Sequence, residues 1–263
     1  MLIDTHAHIH FDEFSDVLES IFKTAKSNKV ESIISVGTNE EDSINVLSFV
    51  SNPSILSISE DINLYATAGI HPHDASRGKS AFDSLSATIN THQQNKKIVA
   101  IGECGLDYNK NHSSKSDQFK MLEWQLELSD KLNLPVVFHV RDAWEDFFAI
   151  LKDHPGTRGV IHSFTGYSDH VEQANKFDLY FGINGIMTFT KDSKQIEALK
   201  QIPSERLLLE TDCPYLSPAP YRGKINQPGY VELIADFVAS TLDSNLTNIA
   251  ESTTQNAKEL FSI

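Results

Sequence analysis

The chain has only two cysteines, Cys104 and Cys213, among its 263 residues. So few thiols exclude a disulfide scaffold and suit a reducing compartment. Basic residues are scarce beside acidic ones: 22 Lys and Arg against 36 Asp and Glu leave a net charge of -14. A protein that coats duplex DNA or lies on an anionic membrane carries a basic excess, so both roles are disfavoured. A single local pocket for phosphate is not excluded, because bound divalent cations change the local field. No apolar run approaches the roughly 18 residues of a membrane helix, so no membrane association is expected. The opening Met1-Leu2-Ile3-Asp4-Thr5-His6 has no basic segment followed by an apolar stretch. A secretory leader is therefore not expected, and a cytoplasmic location is. Also missing are a Gly-x-Ser-x-Gly elbow and a Walker-type loop, which argues against covalent serine catalysis and nucleotide-driven chemistry. Low-complexity segments and linkers are absent too, and 40% hydrophobic with 22% charged residues is an ordinary globular composition.

What is present is a repeating alternation. Short apolar, β-branched runs occur at Leu2–His8, Val30–Val36, Leu64–Ile70, Ile98–Leu106, Pro135–Val140, Gly159–Phe164, Leu179–Ile186 and Leu207–Asp212. Their starts fall about thirty residues apart, the size of a βαβ unit. Helical periodicity lies between them, at Phe14–Asn28, Asn39–Val50, Gln118–Leu132, Ala143–Leu151, Asp169–Phe177 and Ser193–Gln201, and closes the chain at Tyr230–Leu242 and Leu246–Phe261. Eight strands alternating with helices predict an α/β fold, a TIM (β/α)8 barrel forming a single domain over residues 1–263. A doubly wound open sheet is the competing architecture. The Pro/Gly-rich stretch from Pro214 to Gly229 is expected to be a long loop at the barrel mouth.

The ends of these runs carry the chemistry. His6 and His8 are spaced i, i+2, so both imidazoles share one face of the first strand. Glu103 ends Ile98-Val-Ala-Ile-Gly-Glu103, His139 ends Pro135-Val-Val-Phe-His139, and His162 ends Gly159-Val-Ile-His162. Asp212 ends Leu207-Leu-Leu-Glu-Thr-Asp212. One such polar residue after a buried run could be a satisfied core group. Six at the C-terminal ends of five strands converge on the mouth of a barrel, and packing does not require them there. Four imidazoles and two carboxylates suit divalent metal. Six ligands exceed what one tetrahedral ion needs, so His6, His8, Glu103, His139, His162 and Asp212 are expected to hold two ions, with Glu103 as the bridge. Zn, Mg and Mn all remain open. Asp212 is the expected general base and Glu103 is counted with it as catalytic. His71, in Gly69-Ile-His-Pro-His73, is expected to reach the mouth as a catalytic or substrate-binding side chain. Arg141 and Arg222 are candidate substrate contacts, with Lys224, Tyr215 and Tyr221 nearby. Asp107 and Tyr108 follow the fourth strand and could support the ligands. His92, His112, His154 and His170 are read as surface residues. Both cysteines directly follow a ligand, so they should point out of the barrel as packing residues.

Taken together, the segments Ile3-Asp-Thr-His-Ala-His8, Gly69-Ile-His-Pro-His73 and Ile101-Gly-Glu-Cys-Gly-Leu-Asp-Tyr108 resemble the TatD family of metal-dependent hydrolases. So do His139-Val-Arg-Asp142, His162-Ser-Phe-Thr-Gly166, Glu210-Thr-Asp-Cys-Pro-Tyr-Leu-Ser-Pro218 and Arg222-Gly-Lys. The order is the family's and nearly the whole chain is covered. The resemblance implies a TIM barrel of the amidohydrolase group, a two-metal site on the six ligands named above, and deoxyribonuclease action at DNA ends. His10 and the loop Lys224-Ile225-Asn226-Gln227-Pro228 depart from the family's usual residues. The rival functions are hydrolysis of a small ester, lactone, amide or phosphoester, and a non-enzymatic metal-binding scaffold. No obligate protein partner is expected.

Overall fold

The computed structural model describes residues 1–92 and 96–263. Eight parallel strands run in sequence order: β1 (Leu2–Ala7), β2 (Val30–Val36), β3 (Asn63–Ala68), β4 (Ile98–Asp107), β5 (Val136–Arg141), β6 (Arg158–Ile161), β7 (Asp178–Ile183) and β8 (Leu207–Leu209). The last is brought back to the first beyond β8 itself. Ala7 bridges Cys213, the Asp212 N–H donates to the His6 carbonyl, and the His8 N–H donates to the Cys213 carbonyl, the last two at 2.8 Å. The chain is therefore a (β/α)8 barrel, and the open-sheet alternative fails at this closure.

The helices are α1 (Leu18–Ser27), α2 (Glu40–Ser51), α3 (Pro53–Ile58), α4 (Gly78–His92), α5 (Lys115–Leu132), α6 (Trp144–Asp153), α7 (Ser168–Ala174), α8 (Ser193–Gln201), α9 (Val231–Thr241) and α10 (Leu246–Phe261). The expected spans for α8 and α10 match to the residue. Asn39 opens α2 as expected, its side chain accepting from the N–H groups of Glu41 and Asp42. Helices α3 and α4 were not expected. The first is short, and the second buries only Ala81, Leu85 and Ile89, one narrow stripe in a polar stretch.

Two apolar layers position the site. Inside the barrel, Ile3, Ile34, Ala100, Val137, Val160, Tyr180 and Leu208 form one cluster, and Ala257, Leu260 and Phe261 of α10 plug its lower end. Between strands and helices lies the larger layer, which includes Leu64, Phe138, Phe147, Phe181 and both cysteines. The thiols are buried and free, outside the strands as their place next to ligands required. Burial pushes the thiols of Cys104 and Cys213 upward, so neither is a nucleophile at neutral pH. Because the interior plug fills the lower half, polar side chains can gather only at the C-terminal ends of the strands. No helix among the described residues is long and apolar enough to cross a membrane.

Candidate metal centre

The six predicted ligands come together. His6 lies on β1 and His8 just past it, Glu103 is inside β4, and His139 is on β5. His162 follows β6 by one residue and Asp212 follows β8 by three. Two expectations change here. Glu103 does not end its strand, because β4 continues to Asp107, and β8 is three residues long rather than six. Beyond Leu209 backbone bonds persist only singly, from the Glu210 N–H to the Ile183 carbonyl at 3.1 Å and from the Asp212 N–H to the His6 carbonyl. Side chains join in: Thr211 N–H donates to Asp4 Oδ1 at 2.8 Å, and Thr5 Oγ1 donates to the Leu209 carbonyl at 3.0 Å. Asp212 itself has φ of 59°, in the left-handed region that Asp tolerates better than most side chains.

Glu103 faces two ways. Its Oε2 lies 3.4 Å from His6 Nε2. Its Oε1 lies 2.9 Å from His139 Nδ1 and 3.8 Å from His162 Nε2. Asp212 is similarly divided, with Oδ1 3.4 Å from His8 Nε2 and 3.7 Å from His6 Nε2, and Oδ2 4.0 Å from His162 Nε2. Three sets of donor atoms are close enough to share an ion: His6, His8 and Glu103; His6, His162 and Asp212; His71, Glu103 and His139.

The donor chemistry fits a divalent cation. Both ring nitrogens of His6 are buried without a hydrogen-bond partner, and its ring stacks on His162 with centroids 3.6 Å apart. Orphaned imidazole nitrogens beside carboxylates are costly unless something is bound between them. Behind the ligands, carboxylates and carbonyls hold the far ring nitrogens. His8 Nδ1 lies 3.0 Å from the Val36 carbonyl, His162 Nδ1 lies 2.8 Å from Glu210 Oε1, and His139 Nε2 lies 3.2 Å from Asp107 Oδ2. The hydrogen bonds at His8 and His139 orient those rings and leave the other nitrogen aimed at the centre, and the Glu210 carboxylate holds His162 by charge. Glu210 fits in this place because β7 has Gly182 opposite it: a Cβ there would stand 2.2 Å from Glu210 Oε2. With Glu210 replaced by Ala, His162 loses its orienting partner and metal affinity is expected to fall about 10–100-fold, read by competition with a fluorescent chelator. An unchanged affinity would remove Glu210 from the supporting role.

Electrostatics point the same way. Burial alone would lift Glu103, yet the surrounding His71, His162, His139 and His6 hold it well below the usual carboxylate range. Burial likewise opposes the ionised form of Asp212, and His8, His162 and His6 outweigh it. His162, although desolvated, is pushed up to about 10 by Glu210 and Glu103. His8 is raised by Asp212 and His139 by Asp107 and Glu103, each against its own burial. Without metal these imidazoles favour their protonated forms more than a free imidazole does, and a cation must displace those protons. Protons and metal therefore compete, and apparent affinity rises with pH by up to about tenfold per unit for each proton released. Thermal stabilisation by a fixed excess of Zn2+ is expected to be several degrees larger at pH 8 than at pH 6. Equal shifts at the two values would contradict the displacement.

His71 behaves differently. Its Nδ1 accepts from the His73 N–H at 3.1 Å, which puts the proton of the neutral ring on Nε2, 3.5 Å from Glu103 Oε1. Burial pushes its pKa down to about 3. His71 is thus a neutral N–H donor facing the cluster, although its position alone would allow it to ligate. His73 and His139 share Asp107 Oδ2, at 2.9 and 3.2 Å. Asp107 is buried, and His139, the Lys110 N–H and His73 together override the effect of burial and hold it ionised. His10 faces away from the cluster, bonded to Ser35 Oγ and Asp42 Oδ1, both at 2.9 Å. His112 is exposed as expected, whereas His170 is half-buried with its ring stacked on Trp144. His92 and His154 are half-buried as well.

A cleft of about 430 Å3 opens over the cluster and is lined also by Phe11, Thr38, His71, His73 and Tyr215. Arg141 does not line it but borders an adjoining hollow with His139, His162 and Asp212. Arg222 lies farther out on the loop after β8, its guanidinium 4.0 Å over the Phe189 ring. That loop is tied down by Asn226, whose Nδ2 donates to the carbonyls of Thr211 and Tyr215. Sequence reasoning passed over Glu210, Asp4 and Asp42. The signal for the first two was present, since each is an acid embedded in an apolar strand run.

Comparison with known proteins gives the same assignment along the whole length. A family model described as TatD related DNase matches residues 3–262. The uncharacterized metal-dependent hydrolase YabD of Bacillus subtilis is 37% identical, with all of both chains covered. The 3'-5' ssDNA/RNA exonuclease TatD of Klebsiella pneumoniae is 33% identical over 100% of this chain and 98% of its own. Among solved structures, YJJV, a TatD homologue of Escherichia coli, superposes with a TM-score of 0.90 at 28% identity, covering 100% of this chain and 98% of that one.

Proposed function

The chain belongs to the TatD family of metal-dependent hydrolases, and from that premise we propose that it is an exonuclease that hydrolyses phosphodiester bonds at the ends of DNA strands, using two divalent ions. The observation that carries this reading is the two-sided placement of Glu103 and Asp212, each with one oxygen toward His6 and the other toward His162. His6, His8, Glu103 and Asp212 would hold one ion, and Glu103, His139 and His162 the other. Bound there, divalent cations supply Lewis acidity toward a phosphoryl oxygen and lower the pKa of water toward neutrality.

The side chains do the rest. Asp212 sits at the cleft floor with its side chain 13% exposed, so water reaches it, and it is kept ionised. It accepts the proton of the attacking water as general base. His71 donates from Nε2 to a non-bridging phosphoryl oxygen and is a poor base, because its Nδ1 already accepts from the His73 N–H and burial disfavours its protonated form. Asp107 and Glu210 act through His139 and His162 by fixing their ring orientation. Arg141 neutralises phosphate from the adjoining hollow, and Arg222 does so farther along the strand. The buried free thiols support a reducing compartment for the protein.

End-labelled single-stranded and duplex DNA, incubated with Mg2+, Mn2+ or Zn2+ after chelation of purified metal, tests the reading. A ladder shortening from one end in at least one metal is expected. Intact DNA in every lane, with turnover of a small ester or lactone, would replace the nuclease reading by the small-molecule one.

A further inference from the structure

The cleft over the ligand cluster continues along the mouth past Tyr215. The adjoining hollow, about 480 Å3, shares His139, His162, Asp212 and Tyr215 with it and adds Arg141. A third hollow, about 330 Å3, shares Tyr215 and Leu216 with the second and adds Phe189, Arg222 and Lys224. Tyr215 belongs to all three and is 53% exposed, so its ring is open to a ligand in each.

Charge changes along this line. The first hollow has no Lys or Arg among its described lining residues and carries Asp74 at its edge. The nearest guanidinium there, Arg77, is taken by Glu40, Glu41 and Asp74. Arg141, Arg222 and Lys224, on the other side, have no carboxylate partner among the described residues. In a chain of net charge -14, these three cations lie together along one groove. Arg222 has one flat face on Phe189, which leaves its N–H edge open to a phosphate. A ring that stacks a base, followed by a guanidinium that takes a phosphate, repeats the elements of a single-strand binding path. A duplex would hide the base faces that Tyr215 needs.

We infer that a single-stranded polynucleotide crosses the centre in one fixed sense, its terminal nucleotide in the hollow of His71 and His73 and the retained strand running over Tyr215 onto the Arg222–Phe189 platform. This rests on the nucleolytic reading above and adds a side for the uncleaved strand and a length over which binding improves. At the other end Arg77 is already held by carboxylates and Asp74 adds negative charge, so a second run of phosphates is disfavoured there and cutting is confined to an end.

The test is a cycle of one side-chain change against one backbone change. Single-stranded oligodeoxynucleotides of ten residues, each with one phosphodiester replaced by a neutral methylphosphonate at a successive position, are cleaved by wild type and by Arg222→Ala. In wild type, kcat/KM is expected to fall about tenfold at one linkage on the retained-strand side, as for loss of one charge-assisted contact. Arg222→Ala is expected to be slower on the all-phosphate strand and to lose the response at that linkage alone. Equal sensitivity of the two proteins at every linkage would overturn the path while leaving the nuclease reading in place. Hydrolysis of bis(p-nitrophenyl) phosphate with no cleavage of any oligonucleotide would overturn both.

Discussion

Replacing Glu103 by Gln is expected to lower turnover at least about a thousandfold and to reduce the metal bound at saturation. The change keeps volume and one acceptor oxygen but removes the charge that both halves of the cluster share. Among the described residues Glu103 is the one carboxylate within 4 Å of His6, His71, His139 and His162 at once. Losing its anion removes the carboxylate that all four imidazoles face, so cations bind more weakly on both sides. Several kcal/mol of transition-state stabilisation depend on those cations, and about 4 kcal/mol is a factor of a thousand. The fold should survive, because the core beneath Glu103 is apolar and independent of it. Metal analysis and turnover on one preparation check both halves. Full metal content with a loss below tenfold would sink the shared-carboxylate role.

The second large effect belongs to Asp212. In Asp212→Asn the general base is removed while an acceptor oxygen remains, and turnover is expected to fall about 10²–10⁴-fold. Asn is the informative replacement because it tolerates the left-handed backbone at φ 59°, which Ala would strain. The loss should be mainly in kcat, since Asp212 is not among the cations that take the strand. An increase in KM with kcat preserved, measured by steady-state kinetics on single-stranded DNA, would make Asp212 a binding residue instead.

Much of this site could be read from residue order because a barrel converts strand ends into a single place. His6, Glu103, His139, His162 and Asp212 are separated by up to 206 residues, yet each follows an apolar run, and parallel closure brings all five together. The extent of the strands was harder. The run Leu207-Leu-Leu-Glu-Thr-Asp212 reads as one strand, but past Leu209 the backbone partners alternate: Glu210 N–H goes to Ile183, Thr211 N–H to the Asp4 side chain and Asp212 N–H to His6, so the regular ladder stops. Polar residues behind the ligands were harder still. Asp107 was within reach as a residue just past Glu103 on one strand, but Glu210 acts only through His162 from another strand, and which strands face each other is set by tertiary pairing. Helix α4 escaped notice because its buried stripe is narrow, so the period was lost among polar residues. The placement of Arg141 and Arg222 outside the first cleft reflects loop geometry, which spacing alone does not determine.

The most direct test is a metal titration of activity. Protein stripped by chelation is reconstituted with Mn2+ or Zn2+ while cleavage of end-labelled single-stranded DNA and bound metal are followed together. Activity that rises with the second equivalent, and is then saturated at two per chain, is expected from carboxylates that each face both sides of the cluster. Full activity at one equivalent, or activity unaffected by stripping, would contradict a two-ion centre built on Glu103 and Asp212.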